Sequence, residues 1–296
     1  MPGETKAAPE DLLSRIARLG PTLHPAERRV ADLVLEDMEF AVHARTTEIA
    51  ARAQVSAATV TRFCRTVGCD GLRELKLDLA RLLAVGDRYL HPRPVRLSNS
   101  EAMVEIISQV HRSLETLVDQ VSDKDLKRLA AVIAKAKRIV IFGGGGGSSM
   151  AALEAENRFF RLGLHATACN DAQLQLMMAA TLTSGEVLLV LSITGRYGPI
   201  IQAAEVGGQY GAHTISITAP DSPLSRATDD AVKFHVEEPE SIFAPTPARY
   251  VLIALIDILA YEVAKLRGKT AIEAMRRIKY QLVHTRDKDD SEPLGD

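Results

Sequence analysis

The amino-acid sequence predicts two folded units of different class: an all-α N-terminal unit carrying a helix-turn-helix, and a C-terminal α/β unit in which helices flank a parallel sheet. Three observations carry this prediction. Apolar positions in the first ninety residues recur at helical spacing, with no alternating strand pattern among them. A proline- and serine-containing stretch, His91 to Ser100, then breaks the pattern, and proline suits neither a helix interior nor a strand ladder. From Arg138 onward, short apolar runs alternate with helical segments, the βαβα order of a parallel sheet covered on both faces. The expected boundaries are 1–90 for the helical unit, 91–104 for a linker, 105–285 for the α/β unit and 286–296 for a charged tail. A chain of 296 residues is long enough for each unit to bury its own core.

Taken in order, Pro25 opens a helix predicted over about 25–40, with Val30, Leu33, Val34 and Met38 on one face. A short helix is expected from about Thr47 to Ala53. Another runs from Ala57 to about Thr66, with Gly68 placed to end it. Leu72, Leu75, Leu79 and Leu82 mark the apolar face of a further helix. Ser98 with Glu101, and Ser122 with Asp125, have the spacing of helix-start boxes and introduce two helices before the first strand. Strands are predicted at Ile139 to Phe142, Val187 to Leu191 and Thr214 to Thr218. A last strong helix, about Pro247 to Leu266, is apolar nearly all round, which fits a core helix or a contact between subunits.

Composition excludes several classes. With 46% hydrophobic and 25% charged residues the chain is an ordinary folded protein. Its longest apolar runs, Val187 to Leu191 and Val251 to Ile256, fall far short of a membrane span, and no signal-like stretch follows Met1. A cytoplasmic protein without a membrane partner is therefore expected. Cys64, Cys69 and Cys169 are odd in number and form no CxxC pair, so reduced thiols are expected, with no metal and no cofactor. The net charge of −2 carries no global nucleic-acid signature. Locally, however, Arg52, Arg62, Arg65, Arg73 and Lys76 outnumber Asp70 and Glu74.

Within that basic stretch, Thr46 to Arg65 reads TTEIAARAQVSAATVTRFCR. Ile49, Ala53, Val55, Val60 and Phe63 fit the joint core of a tight helix-turn-helix, with the small Ala50 where the two helices cross. On the second helix, Val60, Phe63, Cys64 and Val67 fall on one side, leaving Ala58, Arg62 and Arg65 opposite and Thr59 and Thr61 on the flanks. Such a small, hydroxylic and basic face suits the major groove, where Arg takes guanine O6 and N7 and threonine meets a thymine methyl. Ser56 stands at the N-cap. Lys76 and Arg73 are placed as phosphate contacts, which position a protein without reading sequence. A plain helical hairpin with a solvated basic face has the same pattern.

Two further segments are built to hold an anion. Ile139 to Ala152 reads IVIFGGGGGSSMAA, a strand, five glycines and two serines leading into a helix, so Gly145, Gly147, Ser148 and Ser149 offer amides and hydroxyls at a helix N-terminus. Five consecutive glycines satisfy almost any glycine template, so the run is not a dinucleotide fingerprint, and a merely flexible loop has the same composition. Val187 to Pro199 reads VLLVLSITGRYGP, a strand followed by a helix that Pro199 would start. Ser192, Thr194 and the amides of Gly195, Arg196, Tyr197 and Gly198 converge there, beyond the carboxyl end of a strand, where open α/β sheets bind ligands. The hydroxyls would alternatively only cap the turn. Arg196 can take a phosphate or carboxylate bidentately, and Arg249 can assist it or pair within the unit.

In this order, the helix-turn-helix VSAATVTRFCRTVG, the GLRELKLDLA helix and the two glycine-containing loops resemble the RpiR family of bacterial regulators, in which a helix-turn-helix precedes a sugar isomerase (SIS) domain. The resemblance runs from about residue 10 to 285. It implies a transcription regulator of carbohydrate metabolism that binds double-stranded operator DNA as a dimer or tetramer, with DNA affinity controlled by a phosphorylated sugar or sugar acid. Carried onto this chain, the family's phosphosugar site implies Ser148 after the glycine run and Ser192, Thr194 and Gly195 in the second loop. The glycine run is one residue longer than usual, so Ser148 and Ser149 compete for the phosphate role, and Tyr197 stands where SIS domains commonly carry threonine. FFRLGLHATACNDAQLQLMMAA followed by SITGR is similar to the hexose-metabolism regulators of the family, which implies 2-keto-3-deoxy-6-phosphogluconate as an effector. A sugar-phosphate isomerase on the same domain would need a general base. Glu154, Glu156, His165 and His213 are available, but Glu154 and Glu156 are two apart on a helix, hence on different faces, and no carboxylate–histidine pair stands out. The expectation is a non-enzymatic regulator.

Overall fold

The computed structural model describes residues 10–83, 98–239 and 243–285. The charged tail 286–296 and the linker's residues 91–97 lie outside these. The chain divides into two compact units, the first holding the described residues 10–83 and the second nearly all of 98–285.

In the first unit, α1 (Leu12–Leu19) begins where the Asp11 carboxylate accepts the Ser14 N–H, a cap the apolar pattern did not reveal. The helix expected over 25–40 is two helices, α2 (Pro25–Glu36) and α3 (Met38–His43). Asp37 breaks it: its backbone leaves helical geometry at φ −140°, and its carboxylate accepts the Phe40 N–H at 2.9 Å. Short polar side chains compete in this way with the helical ladder. There follow α4 (Thr46–Arg52), α5 (Ala57–Thr66) and α6 (Leu72–Leu83). Gly68, at φ +80°, turns the chain after α5. One core unites these helices: Val30 and Val34 of α2, Ile49 of α4, Val60 and Phe63 of α5, and Leu75 and Leu79 of α6 are all fully buried.

The second unit opens with α7 (Asn99–Gln120), whose N-cap Ser98 and Glu101 satisfy each other's backbone N–H groups. The linker expected to run to 104 therefore stops before Asn99, because the capping box starts the helix there. After α8 (Asp123–Ala134) come β1 (Ile139–Gly143), α9 (Gly146–Arg161), β2 (Ala166–Cys169), α10 (Ala172–Ala179), β3 (Val187–Ser192), α11 (Gly198–Gln209), β4 (His213–Thr218), α12 (Pro223–Ala227) and β5 (Asp230–Lys233). The last described elements are α13 (Ala248–Arg267) and α14 (Lys269–Thr285).

All strand pairs are parallel, in the order β2-β1-β3-β4-β5. Alternate residues enter opposite cores. Ile139, Ile141, Leu189 and Leu191 meet Phe159 of α9 and Leu255 of α13 on one face, while Val140, Phe142, Leu188 and Val190 meet Ile200 and Ala203 of α11 on the other. β2 and β5, each of four residues, are the sheet edges. α13 is a core helix, burying Val251, Leu252, Leu255, Ile256, Leu259 and Val263, with Ile258 and Tyr261 turned outward. No described helix is long and apolar enough to cross a membrane.

Candidate functional site

Two places bring the sequence-predicted residues together, one in each unit. In the first, the turn between α4 and α5 passes through Gln54 at φ +53°, and the Arg29 guanidinium donates to the carbonyls of Ala53 and Gln54 at 3.3 Å each. Ser56 caps α5 by accepting the Thr59 N–H at 3.2 Å. Ala58, Thr61, Arg62 and Arg65 are exposed on α5. Thr59 is not on the outward flank assigned to it: only 8% exposed, it packs inward with its hydroxyl 3.0 Å from that of Ser56, so it stabilises the helix start instead of facing a groove. Thr61 donates back to the Ala57 carbonyl at 3.2 Å. On α6, Arg73 is exposed and Lys76 half-buried.

Sequence reasoning missed the partner of Arg62. Its Nε donates to Oε1 of Glu27 at 2.9 Å, and the Thr66 hydroxyl lies 3.3 Å from the same oxygen. Glu27 sits in the first turn of α2, where the positive end of the helix dipole favours a carboxylate. All three cysteines are buried and free, and burial pushes the Cys64 thiol up to about 11, far from reactive thiolate chemistry.

In the second unit, the strand order reverses direction between β1 and β3, the topological switch point of an open parallel sheet. Both glycine-containing loops leave the sheet there. Gly144 donates to the Leu191 carbonyl at 3.0 Å, extending the β1–β3 pairing. Gly145 turns at φ +96° and α9 starts at Gly146. Ser148 is buried, and its Oγ accepts the Ile193 N–H at 3.3 Å, which ties the first loop to the second. Ser149 is half-buried, with its carbonyl 3.5 Å from the Asn170 amide nitrogen.

Across from these, Ser192 is buried and its Oγ accepts the Gly195 N–H at 3.1 Å. Thr194, Arg196 and Tyr197 are exposed. α11 starts at Gly198, one residue before Pro199, so the first-turn N–H groups of Gly198 and Ile200 have no intrahelical acceptor. Arg249, at the start of α13, lies beside the glycine loop: a Cβ on Gly147 would sit 3.4 Å from the Arg249 Cβ. Its guanidinium stacks on Tyr250, 4.8 Å from the ring centroid.

Gln175 on α10 was not foreseen. Fully buried, it donates through Nε2 to the Gly143 carbonyl at 3.1 Å and to the Cys169 carbonyl at 2.7 Å, joining the carboxyl ends of β1 and β2 beneath the glycine loop. Gln175→Leu leaves both carbonyls without this donor, at a cost of about 1–3 kcal/mol. Thermal unfolding is expected to shift down by about 3–10 °C; an unchanged Tm would show that the bonds carry no net stability.

The residues considered for acid–base chemistry are dispersed. Glu154 pairs with Arg158 at 2.7 Å, and Arg158 also reaches Asp257 at 2.9 Å. His165 is exposed just before β2, and Glu156 is half-buried on α9. A carboxylate–imidazole pair does exist, contrary to the sequence reading: His213 Nε2 lies 2.8 Å from Asp230 Oδ2. Although burial raises the Asp230 pKa, bonds from Arg128 and His213 hold the carboxyl below its ordinary value. The pair occupies the first residues of β4 and β5, so about 17 Å of strand separates it from the loops at the carboxyl ends.

Comparison with known proteins agrees with this division. The helix-turn-helix domain of the rpiR family matches residues 10–86, and the SIS domain matches residues 132–261. The chain is 33% identical to the HTH-type transcriptional regulator HexR of Pseudomonas aeruginosa, over 94% of this chain and 97% of that protein. To HexR of Escherichia coli it is 29% identical, over 93% and 96% respectively. Among solved structures, the NanR protein of Vibrio vulnificus, complexed with ManNAc-6P, shares the fold with a TM-score of 0.59 at 22% identity, over 93% of this chain and 99% of that one.

Proposed function

This chain belongs to the RpiR family of helix-turn-helix transcription regulators with a SIS domain, and from that premise we propose that α5 reads operator DNA under the control of a phosphorylated sugar or sugar acid bound at the β1/β3 switch point. The observation that carries the effector site is the Ser148–Ile193 bond. It joins two loops, each leading into a helix N-terminus, so that backbone amides from both surround one space suited to a phosphate. Gly145, Gly147, Ser148 and Ser149 line its first side; Ser192, Gly195 and Gly198 shape the second. Thr194, Arg196 and Tyr197 are exposed at its mouth, where the non-phosphate part of a sugar would lie. The phosphorylated sugar named with NanR supports this class of ligand, and the resemblance of FFRLGLHATACNDAQLQLMMAA and SITGR to hexose-metabolism regulators makes 2-keto-3-deoxy-6-phosphogluconate the first compound to try.

DNA would be read by the 1–90 unit and the effector by the 105–285 unit. Two recognition helices are needed for half-sites spaced by one helical turn, so the working form is a homodimer or a tetramer in the cytoplasm. Effector binding shifts operator affinity because the two ligands are coupled through the assembly. The regulatory reading is supported by the HexR relatives, which are transcriptional regulators, and the His213–Asp230 pair lies at the opposite end of the sheet from the loops.

A thermal-shift series with sugar phosphates, sugar-acid phosphates and their unphosphorylated counterparts tests the effector class. A ligand at a hundred times its Kd stabilises the native state by about 2.7 kcal/mol, a rise of about 5–10 °C for a unit of this size. A phosphate-dependent rise is expected. Equal responses to phosphorylated and unphosphorylated compounds, or none to any, would remove the phosphosugar reading.

A further inference from the structure

We infer that Glu27 is a positioning residue for DNA recognition: its buried carboxylate fixes how Arg62 presents its guanidinium to a base pair. The inference rests on the DNA-binding role proposed for α5. Glu27 belongs to α2, outside the helix-turn-helix proper, yet its side chain is only 7% exposed while that of Arg62 is 60% exposed. One end of the pair is thus held in the protein and the other reaches solvent. The bond uses Nε of Arg62, at 2.9 Å, and leaves the two Nη groups unengaged by Glu27. Arginine reads guanine O6 and N7 with two parallel N–H groups, drawn either from both Nη atoms or from Nε with one Nη. With Nε taken by Glu27, only the end-on arrangement remains.

The Thr66 hydroxyl reinforces the geometry, lying 3.3 Å from the same carboxylate oxygen and 3.1 Å from the Arg62 carbonyl. Arg62 is therefore tied to α2 through its side chain, while Thr66 contacts both the carboxylate and the Arg62 backbone. A long arginine otherwise samples many rotamers, and restricting it beforehand lowers the ordering cost of binding. Arg65, three residues further along α5, is exposed and serves as the comparison within the same helix.

The test is enrichment of a randomised duplex DNA library by the full-length protein, comparing wild type with Arg62→Lys, Glu27→Gln and Glu27→Met. Arg62→Lys keeps the charge and loses the fork, so the base pair whose preference it alters is the one Arg62 reads. Glu27→Met is expected to reduce discrimination at that same base pair about tenfold, with the other positions of the site unchanged. Glu27→Gln, which keeps a carbonyl oxygen for Nε, is expected to retain most of the discrimination. A uniform loss of affinity across all sequences in Glu27→Met, or a wild-type preference profile in it, would overturn the positioning role. Circular dichroism and Tm of each variant separate either result from unfolding. A wild-type protein that enriches no sequence would overturn the DNA-reading proposal itself, and this inference with it.

Discussion

Gly195→Ala is expected to abolish the response to phosphosugar while leaving DNA binding by the helical unit in place. Gly195 lies at φ +61°, where an L-residue is held in left-handed geometry at roughly 1–2 kcal/mol. A Cβ there would also overlap the hydroxyls of Ser222 and Thr218, which approach from β4 and the turn after it. Relieving such an overlap in a packed site costs a further 1–3 kcal/mol or so. Three interactions depend on this backbone: its N–H bonds Ser192 Oγ at 3.1 Å, its carbonyl accepts the Leu224 N–H at 3.1 Å, and the following residues lead into α11. Displacing it moves one wall of the proposed phosphate site. The expected result is an apo Tm lowered by about 5–10 °C and no further rise with any sugar phosphate. Gly208→Ala is the control, since a Cβ at Gly208, near the far end of α11, meets only the Thr214 methyl at an ordinary 3.7 Å, and it is expected to keep the ligand-dependent rise. A wild-type ligand shift in Gly195→Ala would place the site away from this loop.

The features legible in the sequence were those written in period and punctuation. Ile49, Val60 and Phe63 at helical spacing gave the joint core of α4 and α5, and apolar runs ending in glycine and serine gave β1 and β3 with their loops. What stayed hidden depends on tertiary neighbours. Edge strands β2 (ATAC) and β5 (DAVK) have no apolar run, because they are paired on one side only. Asp37 falls inside the apolar period that predicts one helix over 25–40, and nothing in that period marks its side chain as the cap of α3. Glu27 and Gln175 carry no sign of burial in their residue type; their partners lie 35 residues away at Arg62 and 32 residues away at Gly143. His213 and Asp230 meet only because parallel pairing brings the starts of β4 and β5 together. Thr59 lies on the flank of α5 as rotation places it, but the bond between its hydroxyl and Ser56 turns the side chain inward, which a helical wheel does not show.

Phe63→Ala is expected to destroy operator binding and leave the phosphosugar response intact. Phe63 is the largest fully buried side chain of α5 and lies at the centre of the helical unit's core, with no part in either core of the α/β unit. Truncating a buried phenylalanine costs about 3–5 kcal/mol in lost transfer energy and cavity. The described helical unit, residues 10–83, has roughly 4–11 kcal/mol of stability at 0.05–0.15 kcal/mol per residue. The substitution therefore removes from about a quarter to all of it. Arg62 and Arg65 would then no longer be presented on an ordered surface, and affinity for a wild-type-selected duplex should fall at least a hundredfold. The α/β unit, with separate cores on each face of its sheet, should still melt in its own transition and still shift with sugar phosphate. Calorimetry with and without ligand, alongside DNA binding, reads both outcomes on one sample. Phe63→Leu, which keeps most of the volume, should fall between. Retained DNA affinity in Phe63→Ala would show that packing beneath α5 does not hold the reading surface. Loss of the phosphosugar shift together with DNA binding would show that the two cores unfold as one, and the division of labour between the units would have to be abandoned.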